Sequence, residues 1–74
     1  MVYEKIDSEK IGNRLRRIRT ERGETTETVA KGIGTSTSAI IMYENGQRIP
    51  RDEIKIKLAE YYGMPVEQIF FATA

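Results

Sequence analysis

Seventy-four residues, 39% hydrophobic and 31% charged, make one small domain, and the lack of any cysteine or histidine excludes disulfides, thiolate metal sites and imidazole chemistry. The carboxylates have no metal-ligand spacing, so neither metal nor cofactor is expected. With no apolar run at the N-terminus and no stretch near the roughly 18 residues of a membrane span, a soluble cytoplasmic protein is expected. The net charge of +1 makes no case for nucleic acid by itself, but it is unevenly spread: residues 1–23 carry seven basic and four acidic groups, net +3, and residues 24–74 carry five and seven, net −2.

Residues 1–7 lack a period and read as a flexible N-terminal arm. Ser8 can cap a first helix, because its hydroxyl can accept from the free amides of the opening turn. Ile11, Leu15 and Ile18 then recur at i, i+4 and i+7, one apolar stripe on a helix running to about Arg22. Gly23 ends it. Thr25 caps a second helix, Thr26 to Ile33, with Val29, Ala30 and Ile33 facing inward. Glu24 stands where an apolar residue would staple against Val29, so this helix must be held by tertiary packing.

Gly34 ends the second helix and Ser36 caps a third, Thr37 to Glu44. Ile40 and Tyr43 point inward there, while Ser38, Ile41, Met42 and Asn45 fall on the opposite side at 100° per residue. Gly46 closes the third helix, and Pro50 forbids continuation through its predecessor. A fourth helix spans about Asp52 to Tyr62, packing through Ile54, Leu58 and Tyr61 or Tyr62. Gly63 stops it. Pro65 then opens a last short helix, Val66 to about Phe71, from which one aromatic is expected in the core and one in an interface. The fold class is all-α: a five-helix bundle over residues 8–71, with a tail at 72–74.

The second and third helices, joined by a three-residue turn containing glycine, have the general helix-turn-helix form. The residues around that corner carry a more specific pattern. Arg14, Leu15, Ile18, Arg19, Arg22 and Gly23 lead into Val29, Ala30, Ile33 and Gly34, then Ser36 and Ile40, then Tyr43-Glu44-Asn45-Gly46. Arg48, Pro50, Leu58, Ala59, Gly63, Val66, Glu67, Ile69 and Phe70 continue it. Over residues 11–70 without a gap, the chain resembles the phage-repressor and Cro class, the XRE family of helix-turn-helix DNA-binding domains.

The resemblance implies a dimeric transcriptional regulator, expected to repress, with helix 37–44 in the major groove of double-stranded DNA. It implies a structural ion pair between Arg19 and Glu44. Thr25 and Thr26 match the start of the second helix, where free amides and the helix dipole face a phosphate. Asn45 and Gly46 match the turn where backbone amides approach phosphate, and Gln47 and Arg48 match positions that touch the backbone. Arg48 is the only basic residue between Lys31 and Arg51.

The sequence departs from the family at Thr26, often Gln, and along the reading face. Ser36, Thr37, Ser38, Ile41 and Met42 offer hydroxyls and aliphatics in place of the Arg, Asn or Gln that read bases best. Hydroxyls can bond phosphate or base edges, and Ile41 with Met42 can pack on thymine methyls. Asp52 and Lys55 stand where the family has apolar residues, so the fourth helix is expected to pack by a different face. The alternative function is a protein-interaction module, antitoxin-like or an anti-repressor partner, working through the Ile41/Met42 face. An enzyme is not expected: no nucleophile has a base at workable spacing and no glycine-rich phosphate loop is present.

Overall fold

The computed structural model describes residues 7–71, all of whose regular structure is helical: α1 (Ser8–Glu21), α2 (Thr26–Ile33), α3 (Thr37–Glu44), α4 (Asp52–Tyr62) and a terminal π-helix (Glu67–Phe71). The proposed arm at 1–7, apart from Asp7, and the tail at 72–74 lie outside the described residues.

Asp7 belongs to the first helix and not to an arm. Its carboxylate accepts from the amides of Glu9 and Lys10, at 3.0 and 3.2 Å, so Asp7 is the cap and Ser8 the first helical residue. An ionised acceptor at the positive end of the helix outcompetes a neutral hydroxyl one residue later. Thr25 and Ser36 cap α2 and α3 through the amides of Thr28 and Ala39, each at 3.1 Å.

The helix-turn-helix corner is closed by hydrogen bonds. Gly34 takes a φ of 75°, which lets its own amide reach Lys31 O and that of Thr35 reach Ala30 O at 2.9 Å. This paired closure suits glycine in the left-handed conformation. The chain leaves α3 in the same way at Gly46.

The core joins Ile11 and Leu15 of α1, Val29, Ala30 and Ile33 of α2, Ala39, Ile40 and Tyr43 of α3, Leu58, Ala59 and Tyr62 of α4, and Ile69 and Phe70 of the π-helix. α3 packs against α1 and α2, α4 against α2, and the π-helix against α1, where Arg14 donates to the carbonyl of Ile69. Of the two terminal phenylalanines, Phe70 is buried and Phe71 is half exposed.

Two packing expectations need correcting. α4 does not turn to a different face: Lys55, Leu58, Ala59 and Tyr62 are buried, Ile54 only partly, and Ile56 is exposed. Lys55 fills an apolar position with its methylene stem, while its ammonium reaches Asp52 at 3.5 Å and lies 5.3 Å from the Phe71 ring centre. The missing staple before α2 has a polar replacement. Glu24 accepts from the Tyr61 hydroxyl at 2.9 Å and pairs with Arg22 at 3.3 Å, tying the start of α2 to α4. Gly32 makes room for the Tyr61 ring, which lies 2.3 Å from where a Cβ would stand.

Candidate nucleic-acid interface

α3 has apolar residues on both sides, and tertiary packing chooses between them. Ala39, Ile40, Tyr43 and Glu44 are buried, while Ser38 and Ile41 face solvent, Ile41 at 43% exposure. Met42 is half buried, a correction to its expected exposure. Ile41 is therefore the main apolar surface α3 shows. Thr37 is half buried at the start of the same helix.

The end of α3 is held by charge. Arg19 on α1 donates to both oxygens of Glu44, Nε to Oε2 at 2.7 Å and Nη2 to Oε1 at 2.9 Å, and its Nη1 donates to the carbonyl of Glu24 at 2.8 Å. Three donors of one guanidinium thus bind α3 and the α1–α2 link together. Glu44 is only 5% exposed and the Arg19 side chain 16%, so this paired fork works at low dielectric, where it is strongest. Donating to the Glu44 carboxylate raises the Arg19 pKa against the opposing effect of burial.

The aromatic neighbours titrate late. Burial holds the Tyr62 phenol well above its ordinary value, helped by the negative charges of Glu44 and Glu24. Tyr61 is also raised, chiefly by its hydrogen bond to Glu24. Arg22 lies over both rings, 5.7 and 5.6 Å from their centres.

Ser36, Ser38, Ile41, Asn45, Gln47 and Arg48 are exposed along α3 and its flanks, and Thr25 is exposed at the start of α2 with Thr26 half buried. The Thr25 hydroxyl is already engaged, accepting from the Thr28 amide and lying 2.9 Å from the Thr28 hydroxyl. The turn amides differ from expectation. Those of Asn45, Gly46 and Gln47 bond to Ile41 O, Tyr43 O and Met42 O at 2.9, 3.2 and 3.0 Å, because the helix closes on its own carbonyls. They are consumed inside the turn, and side chains are among the donors that this end of α3 presents.

Arg16 is one of these and was not singled out from the sequence. It donates to Asn45 Oδ1 at 2.6 Å and stands 3.8 Å from Glu44 Oε1. Its spacing of three from Arg19 puts both on one side of α1, the one sequence signal that could have found it. No described helix is long and apolar enough to cross a membrane.

A family model described as a helix-turn-helix domain matches residues 12–74. The chain is similar to the cryptic phage CTXphi transcriptional repressor RstR of Vibrio cholerae, 37% identical over 57 residues, which cover 77% of this chain and 51% of RstR. It therefore spans about half of that repressor's length. It is also similar to an uncharacterized HTH-type transcriptional regulator, MJ0272, of Methanocaldococcus jannaschii, 34% identical over 78% of this chain and 88% of the relative. Among solved structures, the restriction-modification controller protein C.AhdI of Aeromonas hydrophila superposes with a TM-score of 0.82 at 34% identity, covering 86% of this chain and 97% of the controller.

Proposed function

The chain belongs to the helix-turn-helix domain family of XRE type, and on that premise we propose that it is a sequence-specific double-stranded DNA-binding transcriptional regulator, acting in the cytoplasm as a dimeric repressor. The observation that carries this reading is the outward face of α3, presented by a helix whose other face is buried and whose end is locked by the Arg19–Glu44 fork. A helix held this rigidly can enter a major groove without paying further ordering entropy.

In this reading Thr25 and Thr26 at the start of α2, and Gln47 and Arg48 after α3, engage phosphates and fix register. Ser36, Thr37 and Ser38 bond to phosphate or base edges, and Ile41 packs on thymine methyls with Met42 behind it. RstR is named as a repressor, which favours repression over activation. No catalytic role is proposed.

Selection from random duplexes at two salt concentrations tests the proposal. A two-fold symmetric site is expected, with half-sites about one helical turn apart and affinity falling steeply with salt. Affinity that is flat in salt, or no enriched site, sinks it. The exposure of Ile41 favours a second reading, a protein-binding face. A double polar change at Ile41 and Met42 that abolishes binding to a protein partner while leaving DNA binding intact would decide for it.

A further inference from the structure

Arg16 stands on the side of α1 that faces the end of α3. Glu44 is already matched by Arg19, which donates to both its oxygens, yet Arg16 lies 3.8 Å from the same carboxylate. Two guanidiniums thus flank one acid, and a surplus positive charge rests beside Asn45. That surplus faces solvent, because the Arg16 side chain is 48% exposed where Glu44 is 5%.

A guanidinium has donors and no acceptor. The Asn45 atom bonded to Arg16 is therefore the carbonyl oxygen, and the amide NH2 is turned away from it. Reading adenine takes both halves of a carboxamide at once, the oxygen accepting and the nitrogen donating. With its oxygen turned to Arg16, Asn45 presents its NH2 outward as a donor. It also falls on the outward stripe of α3 with Ser38 and Ile41. The neighbouring backbone amides are consumed within the turn, so they cannot supply this end of the helix with anion-binding donors.

We propose that Arg16 and Asn45 form a phosphate-binding site at the C-terminal end of α3, engaging one phosphodiester of the DNA backbone. Arg16 supplies the charge and also acts as a positioning residue, turning the Asn45 NH2 toward the phosphate. The site rests on the DNA-binding reading above, and it adds a contact from α1, outside the helix-turn-helix itself.

Wild type, Arg16→Ala, Arg16→Lys and Asn45→Ala are compared by titration with the selected duplex and its single-base variants over a range of salt. Melting by circular dichroism first establishes that each is folded. Arg16→Ala is expected to weaken binding roughly tenfold, by a similar factor on every duplex, and to shrink the log–log salt slope by about one. Arg16→Lys keeps the cation and should keep the slope. Asn45→Ala should weaken binding without changing base preference at any position.

An unchanged slope in Arg16→Ala overturns the proposal, as does a slope lost equally in Arg16→Lys, since that marks a structural role. A relaxed adenine preference in Asn45→Ala also overturns it. Should Arg16→Ala not fold, Arg16→Gln, which keeps most of the stem and drops the charge, takes its place in the same comparison. A wild type that binds no duplex overturns the DNA-binding reading and this site together. Salt-dependent binding by wild type, indifferent to Arg16, overturns this site alone.

Discussion

Gly12 of α1 lies against the last peptides of α3: a Cβ at position 12 would stand 2.4 Å from the carbonyl oxygen of Glu44 and 2.7 Å from that of Tyr43. The absent side chain lets the two helices approach closely enough for Arg19 to fork onto Glu44. Backbone oxygens cannot swing aside as a flexible side chain can, so any larger residue must push α1 and α3 apart.

Gly12→Ala is the direct consequence. In an open helix this change would stabilise by about 1 kcal/mol, since alanine is the better helix former. Here overpacking of about 1–3 kcal/mol or more acts against backbone that cannot yield, and strain on the Arg19–Glu44 fork adds to it. A net loss of about 2 kcal/mol is expected, read as a melting temperature lower by roughly 10 °C for a domain of this size. A melting point that stays level or rises means the helices do not cross at Gly12.

Lys55 gives the opposite expectation. Its side chain is 11% exposed, and among the described residues its carboxylate partner is Asp52, 3.5 Å away and 94% exposed. So weak a pair returns little for the ammonium it partly desolvates. Lys55→Leu keeps the stem's packing and drops the charge, and should raise stability by about 1 kcal/mol in urea unfolding. A loss of stability would show that the ammonium over Phe71 matters more than its geometry suggests.

The two substitutions mark what could and could not be read from the sequence. Helix limits were legible because capping is local: Thr25 and Ser36 bond to amides three residues on, and Gly34 and Gly46 close turns on carbonyls a few residues back. The apolar stripes through Ile11, Leu15, Val29, Ile33 and Leu58 were legible from their period. Gly12, Gly32 and Lys55 were not. A glycine inside a helix says nothing of what crosses it, and a lysine at an apolar position looks like a packing failure until its stem is seen lying on the core. Arg16 bonds to a residue 29 positions away, through a contact that exists only once α1 and α3 have docked.

Alkaline pH tests the packing around Glu44. Tyr62 and Tyr61 both hold their protons to higher pH in the folded chain than the ordinary value of 10.0. Above about pH 10 the unfolded chain therefore ionises first, and stability that is complete at lower pH is lost as pH rises toward the folded values. Tyr62→Phe removes the more strongly shifted group. Between about pH 8 and pH 11 its urea midpoint should fall less than that of the wild type. Parallel declines in the two proteins would mean that Tyr62 is not desolvated in solution.

Ile41 is where specificity can be tested one atom group at a time. If its side chain packs on a thymine methyl, replacing that thymine by uracil removes the methyl and leaves every hydrogen-bonding group in place. A buried methyl is worth about 0.8 kcal/mol, roughly a fourfold change in affinity. Wild type should lose this factor at one position of each half-site, and Ile41→Ala should lose nothing further there. The cycle isolates the contact because each single change removes it without adding a new one. A uracil scan that affects wild type and Ile41→Ala alike takes Ile41 out of the groove, and its exposed surface then belongs to the protein-binding reading.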